Sequence, residues 1–180
     1  KLIIDQNNKM LLQIVDDVLA LSKIESGDID FIPTTFDIYN MRQSITDSMR
    51  VVIRPTIELI CESQEHFNVS LDSRRLTEII STLLVNANKF THKGNIRISY
   101  NYQEKGLYVS ITDTGIGIAL KDQQRIFERF EKVNNFVSGT GLGLAICKGI
   151  IEQAHGKIGV KSELGKGSTF WFWIPCNKEE

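Results

Sequence analysis

The stretch 113–144 constrains the fold of this chain most strongly, because it carries a glycine cluster at each end. The first cluster reads Asp-Thr-Gly-Ile-Gly-Ile (113–118), and the second reads Gly-Thr-Gly-Leu-Gly-Leu (139–144). An alternating strand pattern precedes the first cluster, and an apolar helical pattern follows the second. Glycine permits positive φ and close approach of the backbone, and a helix N-terminus attracts anions. The pattern predicts a site that holds a base at one end and its phosphates at the other.

Composition excludes several classes of protein. The chain has 180 residues, 42% of them hydrophobic, which suffices for one domain with an appendage. The net charge is −1 with both signs interspersed, which argues against nucleic acid or an anionic membrane surface as a partner. Cys61, Cys147 and Cys176 are far apart and indicate reduced thiols rather than a disulfide framework or a zinc site. No apolar run approaches the ~18 residues of a membrane span, so we expect a soluble fragment.

Residues 1–25 predict one long helix that ends at Gly27. Its apolar residues form two adjacent stripes: Ile4, Leu11, Ile14, Val18 and Leu21 in one, and Leu12, Val15 and Leu19 in the other. A helix that is apolar on two sides is typical of a bundle of several helices, although it could instead pack on its own globular domain. We expect a domain boundary near Gly27, separating residues 1–27 from residues 28–180. No N-cap precedes the helix, so we expect the chain to be cut from a longer protein.

After Gly27 the pattern predicts helices and largely antiparallel strands that alternate in blocks. The predicted elements are a short strand or linker at 28–33, a helix at 36–53, strands at 56–61 and 68–71, a helix from the N-cap Asp72 to Phe90, strands at 96–102 and 107–112, a helix at 144–154, and a hairpin of 157–161 and 169–174. This order predicts an α/β fold of the two-layer α+β sandwich type, with helices on one face of a mixed sheet.

One face of the predicted helix 72–90 is polar. Thr82, Asn86, Lys89 and Lys93 stand at i, i+4, i+7 and i+11, so they share that face. The oxygen of an asparagine side chain is a hard neutral ligand suited to Mg²⁺, and a lysine one turn further can contact the same phosphates. A solvated helix face would show the same pattern, so the neighbouring motifs decide between these interpretations.

Five motifs follow one another in a fixed order, at 86–90, 113–117, 127–130, 139–144 and 165–170. In residues, order and spacing they resemble the N, G1, F, G2 and following glycine-rich boxes of sensor histidine kinases of two-component systems. The resemblance implies the Bergerat-type ATP-binding fold of the GHKL superfamily for residues 30–176. It also implies that residues 1–27 form the second helix of the dimerisation and phosphotransfer domain, and that the full-length protein is a homodimer.

The resemblance implies ATP and Mg²⁺ as ligands and gives roles to individual residues. Asn86 would coordinate Mg²⁺, and with Lys89 it would act at the phosphates. The Asp113 carboxylate would accept the exocyclic amine of adenine, whereas guanine presents a carbonyl there. The further nucleotide contacts that it implies are Phe90, Gly115, Gly117, Ile118, Lys132, Gly139, Thr140, Gly141, Leu142, Gly143, Leu144 and Thr169.

Two positions depart from the family pattern. Thr82 stands where many members carry a further asparagine, and its hydroxyl is a weaker partner for a metal-bound water. Lys132 stands where many members carry arginine, and lysine lacks the bidentate fork for a phosphate. Between the glycine clusters, Phe127 and Phe130 would anchor a lid over the site.

The resemblance implies transfer of the ATP γ-phosphoryl group to a histidine and relay to an aspartate on the receiver domain of a response regulator. The family's acceptor histidine is followed by an acidic residue and proline, and His66, His92 and His155 lack that context. We therefore expect an acceptor helix upstream of this stretch, and no autophosphorylation of the chain alone. We expect the stretch to be the cytoplasmic portion of a membrane-anchored sensor.

Two other functions remain open at this stage. The first is a related ATPase, such as a topoisomerase or chaperone module, which would need a carboxylate to activate water one turn before the metal-binding asparagine. Thr82 occupies that position and cannot act as the base. The second is a module that senses nucleotide without catalysis and whose helix only dimerises.

Overall fold

The computed structural model describes residues 2–131 and 139–179, without the side chains of residues 2–7 and 9. The helices are α1 (Leu2–Ser26), α2 (Ile38–Arg50), α3 (Ser73–Phe90) and α4 (Gly143–Gln153). The strands are β1 (Thr34–Asp37), β2 (Ile57–Cys61), β3 (Asn68–Leu71), β4 (Gly94–Gln103), β5 (Gly106–Asp113), β6 (Lys157–Glu163), β7 (Gly167–Pro175) and β8 (Lys178–Glu179). Short 3-10 turns occur at Leu120–Asp122 and Arg125–Phe127.

The central sheet has five strands in the order β2-β4-β5-β7-β6. The β2–β4 pair is parallel and the other pairs are antiparallel, so the sheet is mixed. Alternate residues of β5 and β7 are buried on the face that α3 and α4 cover, among them Leu107, Val109, Ile111, Phe170 and Phe172. The prediction of an α/β two-layer fold with a mixed sheet is confirmed.

A second, three-stranded sheet has the order β1-β3-β8. Residues Thr34 to Asp37 pair antiparallel with Leu71 to Asn68, so the helix predicted from residue 36 begins only at Ile38. Asp37 is its N-cap, and the carboxylate accepts the backbone N–H of Asn40 at 2.8 Å. Residues 28–33 form no regular element and serve as the linker from α1.

The buried carboxylate of Asp72 fixes both the start of α3 and the linker. It accepts the backbone N–H groups of Arg74 at 3.0 Å and Arg75 at 3.1 Å, as predicted for an N-cap, and also that of Ile32 at 2.9 Å. Burial opposes ionisation of Asp72, but these hydrogen bonds outweigh it and lower the pKa of the group. The linker is therefore held against the first turn of α3.

Helix α1 ends where the sequence predicts and packs on α4. Gly27 has a φ of +72°, and its N–H donates to the carbonyl of Ile24 at 3.2 Å. A Cβ on Gly149 of α4 would lie 2.5 Å from Cγ2 of Ile24, so this glycine lets the two helices approach closely. Leu21 is buried, whereas apolar residues elsewhere on the helix are exposed: Leu11, Leu12, Val15, Val18 and Leu19.

Among the described residues, no helix combines the length and the hydropathy needed to cross a lipid bilayer.

Candidate functional site

A cavity of about 560 Å³ lies between α3, the loop that follows β5 and the N-terminus of α4. Its volume falls within the roughly 300–1,000 Å³ typical of small-molecule sites. Both glycine clusters contribute to its wall. We call the region around Asp113 the Asp113 end, and the region of residues 139–144 the α4 end.

A buried carboxylate forms the Asp113 end. Asp113 is the last residue of β5 and is 4% exposed. Its Oδ1 accepts the backbone N–H of Gly115 at 2.8 Å. Burial raises the pKa of Asp113, while the N–H groups of Gly115 and Ser168 and the neighbouring Thr91 hydroxyl favour the ionised form and limit the rise. Because a carboxylate can accept several hydrogen bonds, Asp113 can take a further donor from a bound molecule.

Glycines at the Asp113 end make room for other parts of the protein. Gly117 has a φ of +68°, and a Cβ there would lie 2.0 Å from the carbonyl oxygen of Glu163. Gly167 has a φ of +103°, and a Cβ there would lie 2.0 Å from the carbonyl oxygen of Asp113. The loop after β5 and the β6–β7 hairpin therefore pack backbone against backbone, and Gly117 serves this packing.

The other residues of the first cluster are held in a similar way. A Cβ on Gly115 would lie 2.4 Å from the carbonyl oxygen of Phe90, which also accepts the N–H of Ile116 at 3.2 Å. The N–H of Ile118 donates to Oγ of Ser162 at 2.7 Å, and Ile118 lines the cavity. These contacts fix the shape of the Asp113 end.

The polar face of α3 forms one side of the cavity. Thr82, Asn86, Lys89 and Phe90 line it, and Nζ of Lys89 lies 5.2 Å from the centre of the Phe90 ring. Lys93 does not share this face, because α3 ends at Phe90 and the i+11 position falls in the following turn. The structure thus brings together the predicted metal ligand and the predicted phosphate contact.

Two glycines with positive φ shape the α4 end. Gly139 has a φ of +154°, and a Cβ there would lie 2.6 Å from Nζ of Lys89. Gly141 has a φ of +74°, and its carbonyl accepts the backbone N–H of Phe130 at 2.9 Å. The Lys89 ammonium group therefore reaches the glycine loop from α3.

The loop leads directly into α4. Leu142 is the N-cap residue and donates its N–H to Oγ1 of Thr140 at 3.2 Å. Gly143 begins the helix, close to the side chain of Thr82, and both Gly143 and Leu144 line the cavity. The side chain of Leu142 is fully buried, so this predicted contact could reach a ligand only through its backbone.

The structure places Ser168, and not the predicted Thr169, in the cavity. Ser168 pairs with Asp113 across the β5–β7 ladder, is 6% exposed and lines the cavity. The Thr169 hydroxyl lies on the other face of the sheet, 2.9 Å from that of Thr112. Side chains alternate along a strand, so a shift of one residue changes the face.

The two predicted lid anchors differ. The ring of Phe127 packs edge-on against Phe170, with centroids 6.3 Å apart. Phe130 is 64% exposed, and its backbone N–H donates to the carbonyl of Gly141 at 2.9 Å, so a backbone hydrogen bond ties this residue to the glycine loop. Lys132 lies outside the described residues.

Helix α1 contributes residues to the cavity that the sequence patterns did not indicate. Met10, Gln13 and Asp17 line its α4 end. Asp17 accepts the Thr140 hydroxyl at 2.7 Å and the Gln13 amide at 2.8 Å. A polar residue on an amphipathic helix is ordinarily solvated, and the only sequence signal was the i,i+4 spacing of Gln13 and Asp17.

Comparisons with known proteins agree with this geometry. Residues 71–178 match the family described as histidine kinase-, DNA gyrase B- and HSP90-like ATPase. The chain is 39% identical over 178 residues to sensor histidine kinase RcsC of Salmonella typhimurium. The aligned region covers 95% of this chain and 19% of RcsC.

Two solved structures have the same fold. Full-length ShkA in complex with AMPPNP matches with a TM-score of 0.89 and 29% identity, over 97% of this chain and 37% of that one. Histidine kinase ThkA in complex with the response regulator protein TrrA matches with a TM-score of 0.77 and 26% identity, over 96% of this chain and 49% of that one.

Proposed function

We infer the function of this chain from its family: it belongs to the histidine kinase-, DNA gyrase B- and HSP90-like ATPases, and it contains the ATP-binding catalytic domain of a sensor histidine kinase. We propose that the full-length protein transfers the γ-phosphoryl group of ATP to a histidine and then to an aspartate of a response regulator. In such a transfer the protein acts mostly by positioning the reactants and neutralising charge.

The observation that carries the proposal is the buried Asp113 carboxylate opposite a glycine loop and a helix N-terminus. The exocyclic amine of adenine donates hydrogen bonds, and Asp113 can accept one. Guanine presents a carbonyl at that position, so two acceptors would face each other without a proton between them. We propose that Asp113 selects ATP over GTP.

The face of α3 fits a magnesium ion that also contacts phosphate. Asn86 lines the cavity and carries a neutral amide oxygen, and Thr82 lines it one turn before, with its side chain hydrogen-bonded to Cys147. No cluster of three or more histidine, cysteine, aspartate or glutamate side chains within the described ranges could hold a metal. Mg²⁺ would bind Asn86 and the phosphates themselves, whose charge it neutralises during transfer.

Two features of the α4 end support the proposal that the phosphates bind there. The N-terminus of α4 favours negative charge, and Nζ of Lys89 reaches the loop at Gly139. A Cβ on Gly141 would lie 3.0 Å from the backbone of Phe130, and one on Gly143 would lie 3.1 Å from Cγ2 of Thr82, so both glycines let the loop pack closely on its neighbours. The proposed phosphate contact of Lys132 rests on the family resemblance alone.

The acceptor histidine would come from outside these residues. His66 lies against Asp37, with Nδ1 3.2 Å from Oδ2, and His92 contacts Arg54. His155 follows α4, and none of the three lines the cavity as the described residues define it. The exposed apolar residues of α1 fit burial against other helices of a homodimeric bundle.

The geometry disfavours simple ATP hydrolysis. Thr82 stands one turn before Asn86, where a carboxylate would be needed to activate water. Glu78, one turn earlier, lines the cavity but pairs with Arg75, with Nη1 3.0 Å from Oε2. The relatives named sensor histidine kinases support the same conclusion.

Incubation with labelled ATP and Mg²⁺ tests the proposal. We expect the chain alone to bind ATP without acquiring acid-labile label, and a separate bundle domain that carries the family's acceptor histidine to become labelled. Acid-labile label on this chain alone would show that one of its own histidines is an acceptor. An acceptor domain that stays unlabelled while ATP binds would favour the nucleotide-sensing module.

A further inference from the structure

Helix α1 bonds to residues on both sides of the segment 132–138. Before the segment, Arg129 forms an ion pair with Glu25. After it, Thr140 donates its hydroxyl hydrogen to Oδ2 of Asp17 at 2.7 Å. Asp17 is 9% exposed, and its Oδ1 accepts the side-chain amide of Gln13 at 2.8 Å. Its carboxylate thus lies in the cavity wall at the α4 end.

The Asp17 carboxylate engages groups that a phosphate also needs. The Thr140 hydroxyl has a single hydrogen, which it donates to Asp17, and its oxygen accepts the N–H of Leu142. That N–H is one of the groups at the N-terminus of α4 that have no partner within the helix, and negative charge is favourable there. Lys89 reaches the same loop. Among the described residues of α1 that line the cavity, Asp17 is the only charged one, so α1 brings a negative charge to the α4 end.

We propose that Asp17 competes intramolecularly with the nucleotide phosphates and thereby couples ATP binding to the docking of α1. Without phosphate at the α4 end, Asp17 holds α1 against the glycine loop. A bound phosphate takes the Thr140 hydroxyl and repels Asp17, which frees this part of α1. The inference rests on the proposed function, because the competitor is the phosphate chain of ATP.

Reciprocity makes the coupling measurable from both sides. If docking of α1 lowers the affinity for phosphate by some factor, then phosphate binding must lower the equilibrium constant for α1 docking by the same factor. Adenosine carries no phosphate, so its affinity should not depend on the charge of Asp17, whereas the affinity for ATP should depend on it most. If Asp17 had a purely structural role, its substitution would change the affinities for adenosine, ADP and ATP by the same factor.

Calorimetric titration of Asp17→Asn with adenosine, ADP and ATP in Mg²⁺ provides the first test. We expect ATP affinity to rise about tenfold, because an anion beside the phosphates is removed. ADP should gain less, and adenosine should not change. Asp16→Asn is the matched control, since Asp16 is exposed on the same helix and loses the same charge; we expect a change within about twofold. ATP affinity that falls in Asp17→Asn, or that changes as in Asp16→Asn, would overturn the proposal.

Amide hydrogen exchange of residues 13–21 provides the second test. In the wild-type chain we expect ATP to accelerate exchange there, and in Asp17→Asn we expect fast exchange already without nucleotide. Adenosine should leave the wild-type rates unchanged. Equal rates with and without ATP would refute the coupling. If the wild-type chain binds no ATP, the proposed function fails, while the nucleotide-free comparison of the two chains still shows whether Asp17 holds α1.

Discussion

The two ends of the cavity are held by different kinds of contact. At the Asp113 end, the loop after β5 and the β6–β7 hairpin pack backbone against backbone, and a Cβ on Gly117 or Gly167 would lie 2.0 Å from a carbonyl oxygen. At the α4 end, side-chain hydrogen bonds and an ion pair join the glycine loop and its surroundings to α1. The first end is therefore fixed by the fold itself, and the second depends on where α1 lies.

Substitution of Gly167 by alanine is the most severe test of this difference. The Cβ would collide with the Asp113 carbonyl at 2.0 Å, and φ is +103°. We expect the free energy of unfolding to fall by about 3 kcal/mol or more, since backbone must move in addition to the strain of positive φ. Denaturant unfolding measures the loss.

Gly165→Ala measures the cost of backbone strain at positive φ without a steric collision of the new Cβ. Gly165 also has positive φ, +82°, but a Cβ there would meet no atom within 4 Å. We expect a loss of about 1 kcal/mol, the backbone strain alone. Equal losses for the two variants would show that backbone packing does not define the Asp113 end.

Asp113→Asn changes the hydrogen bonding of the Asp113 end to adenine while keeping the shape of the side chain. We expect ATP affinity to fall by about 1.5–3 kcal/mol, because a charge-assisted hydrogen bond to adenine is lost. The preference for ATP over GTP should shrink with it. Calorimetry checks both, and equal wild-type affinities for ATP and GTP would contradict the role of Asp113.

The pH dependence of the same residue follows from its raised pKa. ATP affinity should fall on acidification through that raised value, because a protonated carboxyl is a poorer acceptor. Stability should move the other way: the contribution of Asp113 is fully present below its ordinary pKa of 3.8 and is lost as pH rises through the raised value. Asp113→Asn should remove this part of the pH dependence of unfolding.

Two asparagines on α3 have different expected roles, one in ligand binding and one in stability. Asn86 lines the cavity, so Asn86→Ala should weaken Mg²⁺-dependent ATP binding by about 1–2 kcal/mol and leave adenosine binding and stability unchanged. Asn88 accepts the N–H of Arg54 at 3.0 Å and donates to the carbonyl of Val52 at 3.3 Å. Asn88→Ala should instead lower stability by about 1–2 kcal/mol. Calorimetry and thermal unfolding of both variants distinguish the two roles, and a metal-independent effect of Asn86→Ala would contradict its assignment.

Sequence patterns predicted the features that depend on local order. The strong alternation of β4 and β5, the Asp72 cap and the glycine clusters all have local signatures, and the structure has each of them in place. Strand β1 escaped prediction because its four residues do not alternate clearly and are held by pairing with β3. The choice between Ser168 and Thr169 depends on register, and the role of Asp17 depends on docking of α1, so neither has a local signature.

The reciprocal packing of the loop after β5 and the β6–β7 hairpin also bears on the order in which the protein folds. The two partners are separated by roughly fifty residues, and closing so long a loop delays their contact relative to local structure. Helix α3 and the β4–β5 hairpin can form earlier, but Asp113 acquires its surroundings only when the last hairpin arrives. A chain emerging during synthesis would therefore remain without the complete proposed adenine site until β7 has been made, and ATP could stabilise only the finished fold.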